Sequence, residues 1–150
     1  MKKENPILPP TYLLISLLLM IAVHFAVPIY LITTSPWKLF GLIPVVLGLF
    51  ISVRADAQFK RIATTIQPYE KPSAMVIDGW FKVSRNPMYL GFILVLVGVS
   101  ILLGSLAPFL VIVPFTIILQ LKFIQFEEKM MAETFGDVWN QYLQNVRRWI

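Results

Sequence analysis

Two short polar segments of the chain carry the side chains that are best suited to chemistry. In the first, Arg85, Asn86 and Tyr89 surround Pro87. An amide, a guanidinium and the free N–H groups of a helix start favour an anionic ligand, although Asn before Pro is also the ordinary sequence of a capped helix. The second segment is the pair Glu127–Glu128, whose carboxylates favour a cation.

Long apolar stretches position these segments. Residues 5–37, 39–53 and 86–121 contain no Asp, Glu, Lys or Arg, and a bilayer core of about 30 Å takes roughly 20 helical residues. Gly104, Ser105 and Pro108 predict a turn inside the third stretch. We therefore predict an all-α integral membrane protein, a single domain over residues 1–150, with four transmembrane helices at about residues 12–32, 37–53, 88–103 and 106–126.

Composition and charge agree with a membrane protein. Apolar residues make up 57% of the chain and charged residues 14%, whereas soluble domains carry about 25% charged residues. Of the 13 Lys and Arg residues, Lys38 alone falls on the opposite side of the predicted spans. The positive-inside rule therefore predicts that both termini are cytoplasmic. The net charge of +5 then fits lipid headgroups rather than nucleic acid.

The remaining polar residues lie in a predicted cytoplasmic loop, residues 54–87, and in a C-terminal helical segment, residues 127–150. Carboxylates at membrane depth are costly without partners, so the Glu pair is a functional candidate. Trp139, Tyr142 and Val146 recur at helical spacing and predict an amphipathic interfacial helix, with Arg147 and Arg148 on lipid phosphates. The single histidine, His24, is predicted to be a hydrogen-bonded residue of the bundle.

Taken together, the two segments resemble a known family. Arg-Asn-Pro-x-Tyr-x-Gly at residues 85–91, a hairpin of about 35 residues, Glu-Glu, Phe-Gly and a terminal Val-Arg-Arg are similar to the isoprenylcysteine carboxyl methyltransferases. That family is grouped with the phospholipid N-methyltransferases. The resemblance runs from about Phe59 to the C-terminus. It implies S-adenosylmethionine as cofactor on the cytoplasmic side and a lipophilic methyl acceptor from the bilayer, with no metal.

The resemblance also implies roles for individual residues. Arg85, Asn86, Tyr89 and Glu127 would be catalytic, with Glu127 holding the cofactor's ammonium group and Arg85 a carboxylate. The cofactor contacts would be Gln67, Ser73, Ala74, Met75, Val76, Phe81, Asn86, Pro87, Met88, Tyr89, Glu127 and Glu128.

Three departures from the prenylcysteine enzymes leave the acceptor open. Asn86 stands where those enzymes have His, Phe81 where they have Tyr, and Phe123 where they have a substrate-side Arg. The reaction class is compatible with these changes, but a prenylcysteine carboxylate loses its cationic partner. The alternatives are a phospholipid N-methyltransferase, whose acceptor is an amine, and a small non-catalytic membrane scaffold. The predicted partners are a lipid or other lipophilic substrate and membrane lipids, without nucleic acid.

Overall fold

The computed structural model describes residues 7–27, 30–65, 67 and 69–150. This part of the chain is helical and forms no named strand, which confirms the all-α prediction. Short 3-10 turns lie at Trp37–Gly41 and Gly79–Lys82, and a π-helical segment, Leu119–Ile124, joins the last two helices without a break. The α-helices are α1 (Pro9–Ala26), α2 (Leu42–Ile62), α3 (Pro87–Leu103), α4 (Phe109–Ile118) and α5 (Gln125–Asn145).

Three helical stretches of the described residues are long and apolar enough to cross a membrane: Pro9–Ala26, Trp37–Ile62 and Phe109–Asn145. The apolar helix α3 is shorter, at 17 residues. Large apolar side chains cover the outward faces, including Leu18, Val46 and Leu121. A soluble bundle would place such side chains inside, so these faces fit contact with lipid tails.

The ends of two predicted spans differ from the structure. Helix α1 ends at Ala26 rather than near residue 32, because the following chain pairs with the turn after α3. There the Ile32 N–H donates to the Gly104 carbonyl at 2.8 Å, and Leu31 forms an isolated bridge with Ser105. The same turn delays the start of α4 to Phe109.

Helices α2 and α3 approach each other through glycines. A Cβ atom on Gly48 would lie 2.4 Å from the Gly91 carbonyl oxygen, and one on Gly41 would lie 2.4 Å from the Gly98 oxygen. Gly41 and Gly48 are seven positions apart in the sequence, as are Gly91 and Gly98, so two facing stripes of small residues bring the two backbones together. This contact fixes the position of the start of α3.

The end of the bundle that carries the α3–α4 turn is held by local polar contacts. His24 Nδ1 lies 2.7 Å from Ser105 Oγ, which confirms the prediction of a hydrogen-bonded bundle histidine. The Lys38 ammonium donates to the Leu103 carbonyl at 3.2 Å and so satisfies one of the free carbonyls at the end of α3. The predicted polar segments lie at the other end of the bundle.

The C-terminal segment departs from the predicted interfacial helix. Helix α5 bends at Gly136, whose φ is 49°, and ends at Asn145, so residues 146–150 are not helical. Trp139 and Tyr142 are buried against Met75, and they do not form a membrane-facing stripe. The helix ends early because the backbone carbonyls of Arg147 and Arg148 accept hydrogen bonds from the residues that precede α3.

Candidate functional site

A cavity of about 360 Å³ opens at the polar end of the bundle. Its walls come from the loop between α2 and α3, the first turn of α3, the first turns of α5 and the start of α1. Most predicted site residues line this cavity, namely Gln67, Ala74, Val76, Phe81, Arg85, Asn86, Pro87, Met88, Tyr89, Glu127 and Glu128.

Two predicted contacts, Ser73 and Met75, do not line the cavity. The Ser73 N–H donates to Thr64 Oγ1 at 3.1 Å, while Met75 packs against the cluster of Trp139. The chain from Ser73 to Val76 is irregular, with a bend at Ser73 and Ala74. Ala74 and Val76 line the cavity, while Met75 between them packs away from it.

The hairpin of α3 and α4 brings Tyr89 and Glu127 together. The Tyr89 hydroxyl donates to Glu127 Oε1 at 2.5 Å. Glu127 follows the apolar stretch of α4 and the π segment, and it is partly buried at the cavity wall. Burial raises the pKa of the Glu127 carboxyl to about 7, against the opposing effect of the Tyr89 hydrogen bond. This carboxyl therefore changes charge near neutral pH.

Glu128 has different partners. Its two oxygens accept a bidentate pair of hydrogen bonds from Arg148 at 2.9 and 2.6 Å, and Arg85 lies 3.4 Å away. The Arg85 guanidinium also sits 6.0 Å from the centre of the Trp139 ring. Two cations thus compensate Glu128, whereas Glu127 forms no ion pair within the described residues.

The non-helical C-terminal segment, residues 146–150, holds the start of α3 in place. The Arg85 N–H donates to the Arg147 carbonyl at 3.0 Å, and the Asn86 side-chain amide donates to the Arg148 carbonyl at 3.0 Å. Asn86 occupies the predicted N-cap position, but its side chain makes no capping bond to α3. The prediction that Arg148 lies on lipid phosphates is also wrong, because its side chain binds Glu128.

Several cavity residues were not predicted from the sequence. Met130 and Met131 follow Glu127 by three and four positions, so their helical spacing could have identified them. Trp139 and Tyr142 line the cavity as well, although their spacing suggested a membrane surface. The start of α1 contributes Leu8, Pro9 and Pro10, and no motif in that segment predicts this contact.

The cavity combines apolar walls with few polar groups. Its volume lies within the range of about 300–1,000 Å³ that is typical of small-molecule sites. Among the described residues, the Glu127 carboxyl has no ionic partner and therefore favours a cationic group of the ligand, while Arg85 Nε is buried without a hydrogen-bond partner. In the searched residues, no three His, Asp or Glu side chains come close enough to hold a metal ion. The arrangement therefore suits an organic ligand that carries both positive and negative groups.

Comparison with known proteins agrees with the resemblance seen in the sequence. A family model described as phospholipid methyltransferase matches residues 36–138, which include α2, α3, α4 and most of the α5 residues at the cavity. No curated protein and no solved structure matches the chain. Since the family model covers more than half of the sequence, the chain belongs to the phospholipid methyltransferase family, whose members are membrane methyltransferases.

Proposed function

We propose that the protein binds S-adenosylmethionine in this cavity and transfers its methyl group to a lipophilic acceptor at the membrane interface. The main support is the position of Glu127, a carboxyl without an ionic partner in the described residues, at the wall of an apolar cavity where the lipid-facing helices end. A cationic amphiphilic cofactor complements such a site. A non-catalytic scaffold would not need this carboxyl to face a cavity.

The residues of the cavity fit the groups of the cofactor. Glu127 would hold the ammonium group, because Glu128 is already paired with Arg148 and Arg85. Arg85 lines the cavity, and its guanidinium group would bind the carboxylate. The side chains of Val76, Phe81 and Met88 line the cavity and would contact the adenosine. Asn86 and Pro87 would shape this wall, since the Asn86 side-chain amide already donates a hydrogen bond to the Arg148 carbonyl of the C-terminal segment.

The residues promote the reaction mainly by positioning. Bound S-adenosylmethionine would supply a methyl group on a cationic sulfonium: the lone pair of the acceptor would form a bond to the methyl carbon while the carbon–sulfur bond breaks and the sulfur leaves as a neutral thioether. The rings of Phe81 and Tyr89 present faces that attract such a cation, and Tyr89 keeps Glu127 in place through its hydrogen bond. Holding two reactants in line contributes much of the rate enhancement of such reactions. The buried Phe81 and the partly closed walls also exclude water from the reacting centre.

The structure favours a phospholipid amine over a prenylcysteine carboxylate as acceptor. At the position of the substrate-side Arg of the prenylcysteine enzymes, Phe123 is fully buried. Its ring lies within 6.4 Å of the rings of Tyr12, Tyr69 and Tyr89, centre to centre. Phe123 itself offers no cation to a carboxylate, and the ammonium of the neighbouring Lys122 is directed to the Tyr12 hydroxyl on the outside of the bundle, whereas an amine needs no cationic partner. We also propose that the cavity and both termini lie on the cytoplasmic side, a proposal supported by the positive-inside rule.

Calorimetric titration of S-adenosylmethionine into the detergent-purified protein tests this proposal. We expect saturable binding that Glu127→Gln weakens at least tenfold, since this change removes the charge but keeps an acceptor for Tyr89. Glu133→Gln is the matched control, because Glu133 is an exposed α5 carboxylate that pairs with Lys129. Absence of binding to folded wild type, in detergent and in lipid nanodiscs, would refute the proposal.

A further inference from the structure

Lys122 is a charged residue in an apolar environment. It is the sole Asp, Glu, Lys or Arg between Phe109 and Phe126, and its side chain is exposed on the outside of the bundle. Within the described part of the chain, no carboxylate lies within 4.0 Å of its ammonium group. The ammonium instead donates to the Tyr12 hydroxyl at 3.0 Å and lies 5.4 Å from the centre of the same ring.

This arrangement leaves hydrogen-bonding capacity unused. An ammonium group has three donors, and Tyr12 accepts from one of them. A charged side chain at membrane depth is costly unless it is paired, and Tyr12 is its one hydrogen-bond partner within the described residues, so a lipid can supply an anionic partner. The exposed position and the positive charge both favour an anionic partner at the lipid–water boundary.

Local backbone geometry directs Lys122 outward. The residue lies in the π-helical segment Leu119–Ile124, in which the wider turn changes the register of side chains, and such segments are frequent at functional sites. Phe123 and Ile124 are completely buried while Lys122 is exposed. The segment thus places a cation on the lipid-facing surface directly beside the aromatic core.

Lys122 is adjacent to the cavity. The Phe123 ring packs on Tyr12 at 5.6 Å and on Tyr69 at 6.1 Å, and on its other side it lies 6.4 Å from Tyr89, the partner of Glu127. Glu127 follows Lys122 by five positions, which corresponds to a rise of about 7.5 Å along an α-helix. A lipid headgroup is long enough to extend from Lys122 into the cavity.

We propose that Lys122, Tyr12 and Tyr69 bind the phosphate group of the acceptor lipid at the mouth of the cavity, with the methyl-accepting end of the headgroup directed into the cavity. The ammonium and the two phenolic hydroxyls supply donors to phosphate oxygens. The subsite would select acceptors whose phosphate lies on Lys122 when their methyl-accepting atom is inside the cavity. The inference rests on the proposed function and identifies the residues that determine its lipid specificity.

Lipid binding can be measured without turnover. The probes are fluorescent phosphatidylethanolamine and fluorescent sphingosine, an amine lipid without phosphate, each added to the detergent-purified protein. We expect Lys122→Gln to weaken phosphatidylethanolamine binding about tenfold, the loss of about 1.4 kcal/mol, and to leave sphingosine binding unchanged. The matched control is Lys129→Gln, which removes an exposed cation of α5 that pairs with Glu133. A double variant Tyr12→Phe/Tyr69→Phe is expected to weaken phosphatidylethanolamine binding in the same direction.

The outcomes separate the possible explanations. Equal effects of Lys122→Gln and Lys129→Gln, or equal loss for both lipids, would overturn the phosphate subsite. Competition by millimolar inorganic phosphate that disappears in Lys122→Gln, without any effect of that variant on phosphatidylethanolamine, would assign the site to free anions and overturn the lipid proposal. Titration of S-adenosylmethionine in the same samples tests the proposed function separately, because Lys122 does not line the cavity.

Discussion

Binding of S-adenosylmethionine should depend steeply on pH, because the proposed partner of its ammonium group titrates near neutrality. Burial raises the pKa of Glu127 from 4.5 to about 7. The carboxylate form pairs with an ammonium group, and the protonated form does not. Affinity should therefore fall as the pH is lowered through 7, and binding should release a proton from the protein when it occurs near or below this pH.

The size of the effect follows from the ionised fraction of Glu127. A group with a pKa of about 7 is roughly three quarters ionised at pH 7.5 and about 3% ionised at pH 5.5. The dissociation constant should thus rise about 25-fold over this range, which corresponds to about 2 kcal/mol. His24, the single histidine of the chain, hydrogen-bonds to Ser105 at the other end of the bundle and is not expected to contribute.

Calorimetry at several pH values, in buffers of different ionisation enthalpy, measures both the dissociation constant and the proton release. In Glu127→Gln the affinity should be weak and independent of pH, while Glu133→Gln should retain the wild-type profile. Either a flat wild-type profile between pH 5.5 and 7.5, or the same slope in Glu127→Gln, would show that Glu127 is not the ammonium partner.

Four further predictions follow from the same geometry. The pKa of Glu127 is higher in the folded protein, so the stability that its protonated form contributes is complete below pH 4.5 and is lost as the pH rises through 7. Glu127→Gln should therefore stabilise the ligand-free protein at pH 8, by up to about 3 kcal/mol in thermal unfolding. Tyr89→Phe removes the hydrogen bond that lowers this pKa, and the midpoint of the binding profile should move above pH 7. Gly48→Ala places a Cβ atom against the Gly91 carbonyl oxygen and should destabilise the bundle by about 1–3 kcal/mol, visible as a lower unfolding temperature in nanodiscs. Arg148→Gln breaks a bidentate ion pair and should increase hydrogen exchange of the Arg85 amide, which donates a hydrogen bond to the Arg147 carbonyl of the C-terminal segment.

The apolar stretches and the turn signals predicted the helical architecture well. Gly104 and Pro108 mark the end of α3 and the start of α4 in the structure. The end of α1 was predicted six residues too late, because hydropathy does not register the pairing of Leu31 with Ser105. Contacts between distant segments of this kind depend on the tertiary fold and leave no local pattern.

The sequence predicted the part of the candidate site whose polar residues lie at the two adjacent ends of the α3–α4 hairpin. Tyr89 and Glu127 meet because α3 and α4 are antiparallel and the turn between them is short. The partner of Glu128 was not predictable from spacing, since Arg148 reaches it only when α5 bends at Gly136 and the chain leaves the helix at Asn145. The wall formed by the start of α1 likewise depends on packing alone.

The most direct test of the central claim is the transfer of a labelled methyl group from S-adenosylmethionine to lipid by the purified protein in nanodiscs made from a bacterial phospholipid extract. The account predicts label in the lipid phase, in phosphatidylethanolamine derivatives, and a strong loss of label with Glu127→Gln but not with Glu133→Gln. Wild-type protein that binds the cofactor but transfers no label to lipid, or that transfers it equally well with Glu127→Gln, would contradict the account.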